Sequence, residues 1–362
     1  MKRAEIPGGD RICIVGGYGH VGIELARLLA PAYPGRILLA GRSLVSAEAA
    51  AAEIGHGASG IALDVSRGLA PENSSAVIMC LDWQDPSFAA DCFSKGIDYV
   101  DISAKGPVLE MLEGLDMKAK RNGTSGLIGV GMSPGLTNLL AAELVSGNAP
   151  IAMLDIFILL GSGDDHGLAA LEWTLDNLDS EFEIVENGRR RRVRAQRETK
   201  TVELPGRRGG IFGARFDFPE QRTLARTLSL PTVSCWMATM PPAAARLMRA
   251  ATMAGASELT RRPRSRRALL WALSREAKGN DECGAIMVAT RPDGTETRAS
   301  FHSHGQSRLT AMATYLMVLP LIEGALPSGV HQSDQVLDPG SIFTGLADLD
   351  PRIEIELPRT PD

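Results

Sequence analysis

The sequence predicts an α/β protein: a doubly wound parallel sheet, with an inserted α+β domain built on a mainly antiparallel sheet. Three observations predict it. A short β-branched run ends in a glycine-rich turn and passes straight into a helical pattern over residues 11–29. Apolar strands then alternate with helical patterns six times before Asn138. Beyond Pro150 the pattern changes to a hairpin, separated strands and a few helices. Near-continuous apolar strands suit a parallel sheet covered on both faces, and ligands then sit outside the strand C-termini.

The first strand is Arg11-Ile12-Cys13-Ile14-Val15, followed through Gly16 by Gly17-Tyr18-Gly19-His20-Val21-Gly22. Val21, Leu25, Leu28 and Leu29 then share a helical face. Strand, tight turn and helix are the context in which G-x-G-x-x-G reads as a dinucleotide fingerprint. On that reading Gly17 makes the turn, Gly19 lets backbone approach a pyrophosphate, and Gly22 lets helix pack on strand. The free N–H groups of the helix N-terminus favour the anion.

The second strand, Arg36 to Ala40, leads into Gly41-Arg42-Ser43. A reader of NAD would carry Asp or Glu roughly 20 residues past the last glycine, to hold the ribose 2′-hydroxyl. Arg42 and Ser43 stand there instead. A guanidinium fork and a hydroxyl suit a 2′-phosphate, so NADP(H) is expected rather than NAD(H). The alternatives for Arg42 are a solvated loop position or stacking on adenine.

Leu44 to Ile54 is helical, and Gly60 to Val65 is a third strand. Asp64 and Val65 at its end are placed against the adenine edge, with turn capping the equal alternative for Asp64. Ser75 to Leu81 is a fourth strand, whose Cys80 and Leu81 end over the pyrophosphate and nicotinamide ribose. Pro86 to Lys95 is a helix with Gly96 as its stop. Asp98 to Ser103 is a fifth strand leading into Ala104-Lys105-Gly106, and Pro107 to Arg121 reads as one helix. Ser125 to Val130 is a sixth strand, running into Gly131-Met132-Ser133-Pro134-Gly135-Leu136-Thr137-Asn138. Ser103, Ser133 and Asn138 fall at strand ends, suited to a nicotinamide amide or a substrate carboxylate. Their alternative role is helix capping, with Pro134 as a favoured first helical residue after Ser133.

The later residues give a strand at Ile151 to Leu160, a polar turn at Gly161 to His166, and a helix at Gly167 to Leu178 that carries Trp173. Glu183 to Arg194 is a hairpin with Asn187-Gly188 at its tip. Further strands are Thr201 to Leu204, Pro231 to Trp236 and Ala285 to Ala289; further helices are Ala243 to Ala254, Arg267 to Lys278 and Thr310 to Glu323. The expected domains are 1–138, binding the dinucleotide, 139–306, carrying substrate and dimer contacts, and 307–362, returning to the first.

The 362 residues are enough for one large or two ordinary domains. Hydrophobic residues are 44% and charged residues 22%, as in ordinary globular chains. A net charge of −5 offers no global field for nucleic acid. No apolar run approaches the roughly eighteen residues of a membrane span. Met1 to Gly8 lacks a signal core and reads as a polar lead-in, so a cytoplasmic protein is expected. The five cysteines lie far apart without a CxxC pair, so reduced thiols are expected rather than disulfides or a metal. The arginine runs 189–194 and 261–267 come without an aromatic partner set and read as solvated faces, with a substrate carboxylate or phosphate the narrower alternative. His302 and His304, at strand spacing, read as a solvated or core pair rather than a metal pair.

Taken together, this chain resembles the saccharopine dehydrogenase/reductase family, including carboxynorspermidine synthase-like members. The resemblance is carried by Gly17 to Gly22, Ala40 to Ser43, Tyr99 to Ser103, Gly131 to Ala141, Gly305 to Ala311 and Gly329-Val330. It implies an N-terminal Rossmann domain, an inserted substrate and dimerisation domain, and a homodimer. It also implies hydride transfer between a nicotinamide and the C–N bond of an imine or secondary amine derived from an amino acid or polyamine. Many members carry Asp before the Pro-Gly of the sixth strand; Ser133 stands there, so a carboxylate for a substrate ammonium is absent at that place.

Such a reaction needs a hydride donor about 3–3.5 Å from the carbon and a group that handles one proton. Lys105, just after the fifth strand, is the best-placed titratable side chain, its alternative being a surface loop lysine. Trp173, Asp217, His302 and His304 are candidate substrate contacts from the second domain. Two competing readings use the same fold. A carbonyl or alkene reductase would need a donor such as Tyr99 or Tyr315, which fall in a strand and a helix. A non-catalytic NADP(H)-sensing or scaffold protein would bind cofactor without turnover.

Overall fold

The computed structural model describes residues 10–146, 150–161, 168–203, 210–240, 242–260, 262–273 and 281–358. The polar lead-in, the turn at 162–166, Gly167, Leu204, Arg261 and the end of the helix expected to reach Lys278 lie outside them. The chain forms two compact units. The first comprises residues up to Leu136 together with Ser307–Leu349; the second comprises Thr137–Gln306 with the residues from Asp350 onward.

In chain order the first unit begins with β1 (Arg11–Val15), α1 (His20–Ala32), β2 (Ile37–Gly41), α2 (Leu44–Ile54), β3 (Ser59–Ala62) and β4 (Ser74–Met79). It continues with α3 (Ser87–Ser94), β5 (Asp98–Asp101), α4 (Gly106–Glu113), α5 (Asp116–Asn122) and β6 (Ser125–Ile128). The second unit holds α6 (Thr137–Ser146), β7 (Met153–Gly161), α7 (Leu168–Asn177), β8 (Glu181–Glu186), β9 (Arg189–Arg194), β10 (Thr199–Val202) and β11 (Ile211–Arg215). It goes on with α8 (Glu220–Thr227), β12 (Val233–Met240), α9 (Pro242–Met253), α10 (Ser257–Thr260), α11 (Pro263–Leu273), β13 (Glu282–Thr290) and β14 (Glu296–His304). The chain then returns through α12 (Gln306–Ile322), β15 (Gly329–Gln332), α13 (Ser333–Val336) and α14 (Pro339–Leu349), and ends with β16 (Glu354–Glu356).

The first unit is a seven-stranded, wholly parallel sheet ordered β15-β6-β5-β4-β1-β2-β3. The central strands are buried on both faces: Ile12, Cys13, Ile14 and Val15 have no exposed surface, nor do Val77, Ile78 and Met79. That is why they read as continuous apolar runs rather than alternating ones. The buried stripe of α1 is Gly22, Leu25, Ala26 and Leu29, one position round from the expected stripe; Val21 and Leu28 sit at its margin because glycine and alanine allow the closer approach.

The second unit's main sheet is ordered β10-β11-β12-β7-β13-β14-β16, antiparallel except for the β12–β7 pair. A separate hairpin pairs β8 with β9, turned by Asn187 (φ 51°) and Gly188 (φ 70°). Two positive φ angles are what an Asn-Gly hairpin turn requires. Asp155 of β7 is buried and accepts from Trp236 Nε1 (2.8 Å) and Lys200 Nζ (2.6 Å).

The structure corrects four expectations. The domain end at 362 moves, because β16 pairs with β14 of the second unit. The helix expected over 107–121 divides at Gly114, whose N–H closes α4 on Glu110. The third strand stops at Ala62, since Asp64 turns the chain into a short helical turn at Val65–Arg67. Pro134 is not a first helical residue: Ser133 is extended (φ −150°, ψ 110°), the Ser133-Pro134 bond is cis, and α6 begins at Thr137. Ser133 therefore caps no helix there.

Candidate active site

Within the first unit, the C-terminal ends of all parallel strands lie along one edge of the sheet. The turn after β1 is shaped by four glycines rather than three. Gly16 takes the left-handed turn (φ +78°), a correction to the assignment of that role to Gly17. Gly17 is instead a packing position, where a side chain would meet Ile14 O at 2.9 Å and Leu39 Cδ2 at 2.8 Å. A side chain at Gly22 would run into the Gly16 carbonyl, so helix and turn touch backbone to backbone. At Gly19 an added carbon would meet, among the described residues beyond its chain neighbours, just Gly16 O, at 3.2 Å. The turn thus presents an open backbone cradle at the head of α1, and it fits a pyrophosphate. His20 and Tyr18 are exposed on it, and Val21 is half-buried. The sequence signal for Gly16 was the Gly16-Gly17 doublet itself.

At the end of β2, Gly41 is buried and Arg42 and Ser43 are exposed. The Arg42 guanidinium makes no hydrogen bond or ion pair with a described residue. Ser43 is the N-cap of α2; its hydroxyl accepts from Ser46 N (3.2 Å) and Ser46 Oγ (2.9 Å). The Ser43 N–H donates to the Tyr18 hydroxyl at 3.2 Å.

Beyond β3, Asp64 serves as a cap: Oδ1 accepts from Ser66 N (3.0 Å) and Ser66 Oγ (2.7 Å). These hydrogen bonds hold its carboxyl below the usual range, helped by the charges of Arg67 and Arg42. The Val65 side chain is buried in the core cluster that also holds Ala70 and Phe88, which leaves its backbone rather than its side chain to face an adenine edge. Beyond β4, Cys80 is half-buried with its thiol pushed well up by burial, and Leu81 is 39% exposed against Gly16.

The ends of β4 and β5 hold a linked polar group. Lys105 Nζ pairs with Asp82 Oδ2 at 2.5 Å, both side chains about one quarter exposed (24% and 26%). Lys105 is therefore not a solvated loop lysine. Its backbone N–H donates to Ser103 Oγ (3.2 Å), and the Ser103 N–H donates to Asp101 Oδ1 (2.8 Å). Asp101 Oδ2 accepts from the Tyr99 hydroxyl (2.8 Å). Burial pushes the Asp101 carboxyl up to about 6, against the two hydrogen bonds and with the Asp82 charge adding to the rise. A small open cleft lies beside it, lined by Trp83, Tyr99, Asp101, Met111 and Leu112 among others. The buried Trp83 Nε1 has no hydrogen-bond partner among the described residues. Asp82 follows the expected fourth strand directly, but a pairing 23 positions away leaves no periodic mark in the sequence.

Ser133 is half-buried, and Asn138 is fully buried in the first turn of α6. Trp173 lies in an aromatic cluster of the second unit, 5.2 Å from Phe216 and 5.6 Å from Phe218 between ring centres. There too, Asp217 pairs with Arg222 (2.6 Å), His302 with Glu282 (3.3 Å) and His304 with Asp281 (2.7 Å). Some arginines of β9 answer acids: Arg191 meets Glu186 (2.8 Å) and Glu198 (2.9 Å), and Arg194 meets Asp179 (2.7 Å).

Fold and strand-end architecture define a Rossmann-like α/β chain with an inserted mixed-sheet domain. Among solved structures, apo saccharopine dehydrogenase (L-Glu forming) from Saccharomyces cerevisiae shares this fold, with a TM-score of 0.66 and 14% identity over 96% of this chain and 99% of that one. A meso-DAPDH variant with DAP from Clostridium tetani E88 matches at a TM-score of 0.47 and 13% identity over 93% of this chain and 95% of that one. GenD2 from gentamicin A biosynthesis, in complex with NAD, matches at 0.44 and 12% over 98% of each chain. The latter two are too loose to carry an argument. No family model matches the sequence, and no curated protein matches it. Among the described residues no helix is long and apolar enough to cross a membrane.

Proposed function

We propose that this chain is an NADP(H)-dependent oxidoreductase that transfers hydride to or from the C–N bond of an imine or secondary amine derived from an amino acid or polyamine. The observation that carries the reading is the Lys105–Asp82 pair at the ends of β4 and β5, on the same sheet edge as the glycine cradle. The cofactor, when bound, supplies the hydride. The cradle of Gly16 to Gly22 holds its pyrophosphate, and Arg42 with Ser43 holds its 2′-phosphate. Asp82 fixes the Lys105 ammonium, and Ser103 fixes the backbone on which it stands. Lys105 Nζ then gives a proton to the nitrogen of the amine formed, or takes one in the reverse direction. Tyr99 is unsuited to the carbonyl-reductase role, since it is 3% exposed and its proton is given to Asp101. Acting on a small molecule, as a homodimer in the cytoplasm, completes the proposal.

The test is titration with NADPH and NADH followed by nicotinamide fluorescence, then a screen of amine and keto-acid pairs for NADPH oxidation. NADPH preference lost in Arg42→Ala, and turnover lost in Lys105→Gln with cofactor binding kept, are the expected results. Equal binding of both cofactors with Arg42→Ala silent would overturn the NADP(H) assignment. Tight binding with no turnover on any pair would move the chain to the sensing or scaffold reading.

A further inference from the structure

The end of β2 is where a dinucleotide-binding sheet reads the adenosine ribose, and here the strand itself supplies no side chain. A carbon added at Gly41 would meet the Tyr18 ring, with Cζ and the hydroxyl oxygen each at 2.6 Å. The ring delivered by the β1–α1 turn thus fills the seat that a strand-end carboxylate would occupy. The Tyr18 hydroxyl accepts from the Ser43 N–H (3.2 Å), so its own proton is left to give. The Ser43 hydroxyl is in the same condition: it accepts twice from Ser46, and its proton is free to point outward. Beside them the exposed Arg42 guanidinium can only donate. The corner thus offers three groups with a proton to give, the Tyr18 and Ser43 hydroxyls and the Arg42 guanidinium, while the Asp64 carboxylate that shares Arg42's field is taken up by Ser66.

We propose that Tyr18 is a specificity-determining residue for the cofactor: its phenol donates to the 2′-phosphate of NADP(H), together with Ser43 and Arg42, in place of the acid that would select NAD(H). The proposal rests on the NADP(H) reading above and extends it to a residue in the glycine turn. Gly41 is part of the device, because only a residue without a side chain leaves room for the ring. Three donors converging at one corner reward an acceptor-only partner such as a phosphate, and a charge-assisted hydrogen bond is about twice as strong as a neutral one.

The experiment uses the full chain and ligands without nicotinamide, so that no turnover is needed. Binding of 2′,5′-ADP and 5′-ADP is measured by calorimetry for the parent, Tyr18→Phe, Gly41→Asp and Arg42→Ala. Phenylalanine keeps the ring on Gly41 and removes only the hydroxyl. Tyr18→Phe is expected to weaken 2′,5′-ADP about tenfold and to leave 5′-ADP within about twofold. Gly41→Asp is expected to unseat the ring and abolish the preference for 2′,5′-ADP. An unchanged preference in Tyr18→Phe, or an equal loss for both ligands, overturns the proposal. If Arg42→Ala lowers the preference while Tyr18→Phe does not, the Tyr18 assignment fails alone. If the parent shows no preference for 2′,5′-ADP, the NADP(H) reading fails and takes the Tyr18 assignment with it.

Discussion

Asp101 gives the sharpest test of the strand-end architecture. Its carboxyl is 2% exposed and titrates near 6, well above the ordinary carboxyl value of 3.8, chiefly because burial penalises the charged form. In the unfolded chain no such penalty exists. The folded state therefore holds the Asp101 proton more tightly than the unfolded state does. Where both states are protonated, below about pH 4, the contribution to stability is fully present; it is lost as pH rises through the folded value near 6. A gap of about two pKa units corresponds to about 3 kcal/mol, at 1.36 kcal/mol for each unit. Asp101→Asn cannot titrate, and it loses one acceptor facing Tyr99 or Ser103, a cost of about 1–3 kcal/mol that does not depend on the Asp101 charge. The assay is urea denaturation of parent and Asp101→Asn at closely spaced pH values from about 4 to 7.5. Subtracting the two curves cancels every other titrating group. The difference is expected to fall toward high pH by about 3 kcal/mol, with its midpoint between about 4 and 6. A flat difference, or one that favours the parent as pH rises, would refute the desolvation argument. A carbon-13 titration of the Asp101 carboxyl checks the folded value directly.

Gly22→Ala should lower stability by about 1–3 kcal/mol despite alanine's better helix propensity, because its methyl meets the Gly16 carbonyl; a thermal melt reads the loss, and NADPH fluorescence titration should show binding lost with it. Asp155→Ala should cost about 1–3 kcal/mol, chiefly because it leaves the buried Trp236 Nε1 without its acceptor while the part-exposed Lys200 ammonium turns to water; a loss under about 0.5 kcal/mol on denaturation would show that the Trp236 hydrogen bond contributes little. The thiols should be inert to a disulfide reagent at pH 8 in the folded protein and react together on unfolding. Burial pushes the Cys13 thiol up to about 12, and those of Cys80, Cys92 and Cys235 also rise.

The parallel sheet was legible because its inner strands are buried on both faces, so β1, β2 and β4 show as apolar runs, the first running into Gly16 and the second ending in Gly41. The Asn187-Gly188 turn was legible because few residue pairs accept two positive φ angles. What escaped the sequence is what arises between distant segments. Gly16 and Gly17 are chemically identical, and only the register of β1 decides which one turns the chain. The Asp82–Lys105 pair joins loops from two strands, and Tyr18 reaches Gly41 across the sheet edge; neither leaves a periodic trace. The third strand was drawn too long, through Asp64 to Val65, because a strand end and a helical turn look alike over three residues. The arginines of β9 read as a bare basic run because their partners, Glu186, Glu198 and Asp179, come from neighbouring segments.

The route of the chain through its two units has a consequence for synthesis. It crosses from one unit to the other three times, after Leu136, Gln306 and Leu349. The outermost partner of β6, the strand Gly329–Gln332, leaves the ribosome about 200 residues after β6 itself. At about 5–20 residues per second, that edge stays open for roughly 10–40 s, a bare row of backbone donors and acceptors beside apolar side chains. During that interval the nascent chain depends on something else to shield the edge. Cutting the gene at any single point between β1 and β16 would leave at least one sheet without a strand, so neither unit can be obtained by simple truncation.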